Sequence, residues 1–297
     1  MISGKNSVSK PQSKVLITGA GTGLGLETAL SLAERGFSVY ASVLDAEQQA
    51  RVMEEASQRG VALQAPIMDV TDAAAVQATI DAIVAAPGDE VSVVHNAGIS
   101  LRGYFEDCDD DEIRRVFEVN LMGAMVVTRA VLPAMRQVGR GRLIFVSSIG
   151  ARVASMGRTA YCASKFALEG FAESLMQEVT PLGIQVSIVE PAIIKTERWT
   201  VHRGIARRAQ DPSSPYYGWF QRQEELADEL VRTSPTTPEQ VADAIHRALT
   251  EPRPRLRTIV GKRARLVVTA RRYLPGELFE RFYFGEAMRR VTAADGS

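Results

Sequence analysis

Tyr161 and Lys165 stand four residues apart, and Ser148 precedes the tyrosine by thirteen positions. On a helix, residues i and i+4 share a face, so a phenol and an ammonium would enter the same space. The ammonium favours the phenolate and would lower the phenol's pKa from about 10 toward neutrality. A phenol tuned in this way donates a proton to a developing alkoxide or takes one from an alcohol. Tyr-x-x-x-Lys also occurs on helix surfaces by coincidence. The reading therefore depends on what surrounds it.

Residues 14–18 form a short apolar run that enters Gly19-Ala20-Gly21-Thr22-Gly23-Leu24-Gly25. Helical periodicity follows to Arg35, and Gly36 stands where a helix C-terminus favours glycine. A Gly-rich turn between a strand and a helix is a dinucleotide-binding pattern. The helix N-terminus meets a pyrophosphate with unshared N–H groups and the positive end of its dipole. A second apolar run, 91–95, ends in Asn96-Ala97-Gly98, and Asn120 heads a long apolar helix. Strands are expected near 14–18, 38–42, 62–68, 91–95, 142–147, 184–190 and 257–261. Helices are expected near 23–35, 46–59, 73–85, 110–118, 120–138, 160–180 and 237–250. This alternation predicts an α/β fold, a single Rossmann-like doubly wound domain whose parallel sheet of about seven strands is covered on both faces. Ligands of such sheets lie beyond the carboxyl ends of the strands, where the residues above converge.

Composition bounds the function. The 297 residues include 35 basic and 35 acidic side chains, so no broad basic field recruits nucleic acid. Two cysteines, Cys108 and Cys162, make no disulfide framework, and a reducing, cytoplasmic compartment is expected. The polar residues 1–12 read as a flexible segment without the apolar core of a signal peptide. No apolar run reads as long enough to span a bilayer.

The ordered set Thr18-Gly19-x-x-x-Gly23-x-Gly25, Asn96-Ala97-Gly98, Asn120, Ser148, Tyr161-x-x-x-Lys165 and Pro191-x-x-x-x-Thr196 resembles the short-chain dehydrogenase/reductase family over about residues 13–250. The resemblance implies an NAD(P)-dependent alcohol dehydrogenase or ketone reductase. In that reading Tyr161 is the general acid/base. Lys165 lowers its pKa and bonds the nicotinamide ribose. Ser148 polarises the substrate oxygen, and Asn120 positions a water linking Lys165 to solvent. Asp69 would lie against the adenine amine unless it merely caps the next helix, a role open also to Thr71 and Asp72. Thr196 would bond the carboxamide. Gly21, Thr22, Leu24, Val70 and Ile194 join the expected dinucleotide contacts. A dehydratase or epimerase on the same scaffold, or a dinucleotide-sensing regulator, are the alternatives.

The chain departs from the family pattern in places. His95 stands where an asparagine usually precedes Asn96, and it reads as structural. Ala192 replaces the glycine after Pro191, which puts the local backbone in question. NAD members commonly carry an aspartate where Ser42 stands, for the ribose diol. NADP members carry an arginine at position 43 or a basic residue at position 22, and here these are Val43 and Thr22. Without a cation for the 2′-phosphate, NAD is favoured and NADP is the alternative.

The acidic run Asp107, Asp109, Asp110, Asp111 and Glu112 reads as a charged helix start, not a metal site. The catalytic domain is expected to cover 13–262, with 192–235 as a substrate lid. Ile149, Val153 and Met156 on one loop and Ile193, Ile194 and Trp199 on another would frame an apolar entrance. A bulky, mostly apolar secondary alcohol or ketone is the expected substrate: a steroid, terpenoid, polyketide or aromatic ketone. Helices 110–138 and 160–180 carry apolar residues on more than one face, including Met122, Met125, Phe171 and Met176. By resemblance they would build a homodimer or homotetramer. The Arg-rich extension 263–297 could pack on the domain, cover the lid or lie on an anionic membrane surface.

Overall fold

The computed structural model describes residues 13–86, 88–195 and 204–292. Six strands, β1 (Lys14–Ile17), β2 (Ser38–Ala41), β3 (Val91–His95), β4 (Gly141–Val146), β5 (Ile184–Pro191) and β6 (Arg257–Val260), pair in parallel in the order β2-β1-β3-β4-β5-β6. The seventh expected strand, 62–68, is an edge segment beside β2. Gln64 N–H donates to Val39 O at 2.9 Å and Met68 N–H to Val43 O at 2.8 Å. Pro66 between them has no N–H to give, and a proline is tolerated only at such an edge.

Successive strand side chains alternate between the sheet's faces. Val15, Ile17, Val39 and Val146 pack under α1 (Gly23–Glu34), α2 (Ala46–Gln58) and α8 (Pro238–Thr250). Leu16, Val93, Phe145 and Ile188 pack under α3 (Ala73–Ile83), α5 (Gly123–Val138) and α6 (Thr159–Val179). The strand order reverses between β1 and β3, and that switch point opens a crevice at their carboxyl ends.

α4 (Asp110–Phe117) runs into α5 through a π turn, Glu118–Met122. The combined stretch Asp110–Val138 is long and apolar enough to cross a membrane by length and composition, contrary to the sequence expectation. Here it serves as a core helix, with Val127, Val131 and Met135 buried against the sheet. Three further features carry no strong sequence signal. α7 (Tyr217–Arg232) lies inside the expected lid. α9 (Lys262–Tyr273) begins the extension, and a short pair, α10 (Gly276–Phe279) and α11 (Gly285–Thr292), continues it. The extension packs on the domain: Val268 and Phe279 bury against Val153, and Arg222 on α7 donates to Val291 O at 2.7 Å. Residues 1–12 and 293–297 lie outside the described residues.

Candidate active site

Thr18 and Asn96 tie β1 to β3. The Thr18 hydroxyl accepts from the N–H groups of Asn96 and Ala97, at 3.1 and 3.0 Å. The Asn96 amide donates to the carbonyls of Thr18 and Gly19. This latch sets the Gly-rich turn. Gly19 has a φ of +64°, and a Cβ there would lie 2.8 Å from Ala97 Cα. A Cβ on Gly25 would lie 2.5 Å from both Asn96 Nδ2 and Gly19 O. Glycine is required at both positions by close approach, and at Gly19 also by the backbone. Thr22 makes no side-chain cap bond to α1, and Thr22, Gly23, Leu24 and Gly25 line the cleft. The first-turn amides of α1 therefore open onto it, a site that fits a pyrophosphate.

Opposite, β4 ends at Ser147 and Ser148. The Ser148 hydroxyl accepts from Gly150 N–H at 3.0 Å and so closes the turn Ile149–Ala151. Tyr161 and Lys165 are buried on one face of α6. Lys165 Nζ donates to Val146 O at 3.0 Å, which fixes the ammonium at the end of β4. Asn120 sits in the π turn, an irregularity that often marks functional sites. Its Oδ1 accepts from Ile99 N–H at 2.7 Å, and its Nδ2 donates to Ile99 O and to Ser164 Oγ. Ser164 in turn donates to Tyr161 O at 2.8 Å. A Cβ on Gly98 would lie 3.1 Å from Asn120 Oδ1 and 3.5 Å from Lys165 Nζ, so all three residues meet.

A second helical turn repeats the spacing. Glu169 follows Lys165 by four residues and is buried on the same face. Its Oε1 accepts from Ser147 Oγ at 2.9 Å. Its Oε2 accepts from Arg257 Nε at 3.1 Å and from Arg152 Nη1 at 3.5 Å. One carboxylate thus grips both flanks of the Ser148 turn from the helix that carries Tyr161. Glu190 lies behind it, and burial followed by the Glu169 charge pushes its carboxyl up to about 7.

One cleft brings together Thr22, Gly23, Leu24, Gly25, Asn96, Ser148, Ile149, Tyr161, Lys165, Pro191, Ile193 and Ile194. Gly19, Ala97, Gly98 and Asn120 lie beside it in the latch and the Asn120–Lys165 contact, while Gly21 packs against Gln48 of α2. Val153 turns instead toward the extension, and Met156 presents its carbonyl to Gln223 on α7 at 3.0 Å. Thr196 and Trp199 lie outside the described residues.

At the end of β2 the geometry differs from the sequence expectation. Ser42 and Val43 are fully buried, and Val43 belongs to the core. The exposed position is Leu44, 54% accessible, followed by Asp45, which caps α2. Ser42 and Val43 follow β2 and are still held by backbone hydrogen bonds, Ser42 N–H to Ile17 O and Val43 N–H to Pro66 O. Asp69 accepts from the N–H and hydroxyl of Thr71, while Asp72 caps α3. Val70 packs over Gly123.

The two sequence departures are accommodated. Ala192 needs no left-handed backbone, since no non-glycine residue among those described has positive φ. His95 stacks on Phe145 at 4.4 Å, and its Nε2 lies 3.3 Å from Thr128 Oγ1. Burial pulls its pKa down to about 3, so the ring is a neutral core group. In the acidic run, Asp109 and Glu112 form a capping box at the start of α4.

Sequence reasoning missed two arginines that line the cleft. Arg158 lies over the Tyr161 ring, its guanidinium carbon 4.4 Å from the centroid. Arg102 is buried and pairs with Glu224 of α7 at 2.9 Å. The i, i+3 spacing of Arg158 and Tyr161 was a readable signal. Arg102 comes from the loop after β3, and only the tertiary fold brings it in.

The sequence model of the short chain dehydrogenase family matches residues 13–203. Human 17-beta-hydroxysteroid dehydrogenase type 1 is 32% identical over 258 residues, covering 84% of this chain and 77% of that protein. Human retinol dehydrogenase 5 is 34% identical over 279 residues, covering 90% and 86%. The crystal structure of a short-chain dehydrogenase from Streptomyces avermitilis superposes with a TM-score of 0.77 at 30% identity, covering 94% of this chain and 98% of that one. Structures sharing the fold at 23% identity include complexes with NAD and with NADP. By the match over residues 13–203 and by these relatives, the chain belongs to the short-chain dehydrogenase family of oxidoreductases.

Proposed function

We propose that the protein interconverts a secondary alcohol and a ketone with a nicotinamide dinucleotide, using Tyr161 as the proton donor and acceptor. The observation that carries this is the meeting of Ser148, Tyr161 and Lys165 in the cleft that the α1 N-terminus also enters. The dinucleotide, when bound, supplies or takes the hydride.

The residues divide the rest of the work. The α1 amides and the Thr22–Gly25 turn hold the pyrophosphate. Ser148 donates to the substrate oxygen and orients it toward the Tyr161 hydroxyl. Tyr161 gives its proton to the oxygen during reduction and takes it back during oxidation. Lys165, anchored on Val146 O, stabilises the phenolate between these events and, with a dinucleotide bound, would also hold the nicotinamide ribose. Asn120 holds the backbone of Ile99 and, through Ser164, the Tyr161 carbonyl, which keeps α6 in register with β3. NAD is favoured, because the exposed residue at the end of β2 is Leu44, with no charge for a 2′-phosphate.

Leu24, Ile149, Ile193 and Ile194 give the cleft an apolar wall, which favours a bulky apolar ketone or alcohol. The names of the steroid and retinol relatives support the same class. Arg158 adds a cation beside Tyr161 that the apolar reading alone would not supply. An apolar groove between α5 and α6, lined by Met125, Leu132, Phe171 and Leu175, supports a homo-oligomer. A sedimentation experiment at micromolar concentration that found only monomer would remove that part.

A panel of ketones of increasing apolar size, offered with NADH and with NADPH and followed at the nicotinamide absorbance band, tests the activity. Efficiency should rise with apolar bulk. Turnover confined to small charged ketones would overturn the substrate class, and no turnover on any ketone would overturn the activity.

A further inference from the structure

The C-terminal helices carry two apolar faces, and only one of them is used. Ala264 and Val268 of α9, Phe279 of α10 and Val291 of α11 are buried against the domain. On the opposite side of α9, Leu266 and Tyr273 are seven residues apart and share a face. They are 72% and 74% exposed, and Phe282 beyond α10 is 70% exposed. Leu274, Leu278 and Met288 continue the exposed set.

The same segment concentrates charge. Residues 262–292 hold eight basic residues against three acidic ones, a net of +5. The whole chain has 35 of each sign, so the remainder carries the opposite net charge. Glu286 pairs with Arg289 and Arg290, and Arg271 donates to Arg152 O. Lys262, Arg263 and Arg265 flank Leu266 on the exposed side of α9. Cations interleaved with large apolar side chains suit the boundary between lipid headgroups and acyl chains, where Lys and Arg meet phosphates and Leu, Tyr and Phe insert.

We propose that this face docks the protein peripherally on an anionic lipid bilayer. Charge complementarity selects that occupant. A second copy meeting the same face across a twofold axis would bring two like-charged patches together. The 12 residues of α9 are too few to span a bilayer, which takes about 20. The cluster that seats Val268 and Phe279 also contains Ile149, whose side chain lines the cleft. Docking would set that wall of the cleft near the lipid. The proposal rests on the surface itself and stands whether or not the substrate class is correct.

The test is flotation of the full-length protein with vesicles of phosphatidylcholine alone and with added phosphatidylglycerol, at low and high salt. Expected are partitioning onto the anionic vesicles only, and release by salt. Arg263→Gln with Arg265→Gln should weaken partitioning by roughly 25-fold, at about fivefold per basic residue. Leu266→Ser with Phe282→Ser should abolish insertion, with turnover of a water-soluble ketone unchanged as proof of folding. Failure of the wild-type protein to float with anionic vesicles would overturn the proposal. So would an apolar-to-Ser variant that floats normally while dissociating from dimer to monomer in sedimentation, since a second copy would then be the occupant.

Discussion

The half of the cleft proposed to handle the proton and the half proposed to face the substrate are built in different ways. Ser148, Tyr161 and Lys165 sit on the end of β4 and one face of α6. They are held by backbone partners such as Val146 O and by buried side chains such as Glu169. Ile193, Ile194, Arg102 and Arg158 reach the cleft from connecting segments or a helix start, and Arg102 depends on Glu224 of α7. In the proposed reading, regular elements fix the chemistry, while loops decide what it is applied to. Substitutions in the first half should therefore remove the reaction, and those in the second should redirect it.

The largest effect is expected at the Gly-rich turn between β1 and α1. Gly25→Val would drive a side chain into Asn96 and Gly19, so dinucleotide binding by calorimetry should disappear. Stability should fall by about 1–3 kcal/mol, the usual cost of overpacking. Ile193→Ala on the substrate side should instead raise KM by roughly 10- to 50-fold, the worth of two to three buried carbons at about 0.8 kcal/mol each, with kcat retained. Equal loss of kcat in both variants would erase the distinction.

A smaller effect sharpens the role of Glu169. Ser147→Ala releases the flank of the Ser148 turn without touching any reacting atom. We expect kcat to fall about tenfold, or about 1.4 kcal/mol of transition-state stabilisation, with the dinucleotide Kd unchanged. In Glu169→Ala the further loss from Ser147→Ala should be small, because the Ser147–Glu169 bond is already gone. Fully additive losses would mean that the turn is positioned by something else.

Smaller again is the cofactor switch. Leu44→Arg places a guanidinium at the exposed end of β2, and preference should move toward NADP by roughly tenfold, the worth of one charged hydrogen bond. A wild-type preference for NADPH would contradict the premise.

An effect of a different kind, on stability and not on turnover, is one of pH. His95 has a folded pKa of about 3 against an ordinary 6.5. The unfolded chain takes up the proton first, so this group's contribution is present above about 6.5 and is lost as pH falls toward 3. The slope is at most about 1.4 kcal/mol per pH unit. Urea denaturation over that range should show a shallower acid slope in His95→Asn than in the wild type, and parallel slopes would refute the assignment.

How much of this was legible in the sequence follows the same division. Tyr161, Lys165, Ser148 and the Gly-rich turn were singled out by local spacing together with the family resemblance of the ordered motif set, and the fold brings them to one cleft. The sheet was also readable, except where Pro66 reduced the seventh strand to an edge segment. Which residue after β2 first reaches the surface was not legible, because register and not order along the chain decides it: Ser42 and Val43 are buried and Leu44 is exposed. Arg102 could not be found, since its position depends on Glu224, 122 residues away. The extension was read as basic and apolar. Its division into a packed face and an exposed one needed the tertiary contacts of Val153.

The most direct test of the central claim is single-turnover hydride transfer in Tyr161→Phe with dinucleotide binding measured in parallel. The phenylalanine keeps the ring beneath Arg158 and removes only the transferable proton. The account predicts a rate lower by about 10²–10⁴ with Kd for the dinucleotide nearly unchanged. A rate close to that of the wild type would contradict it.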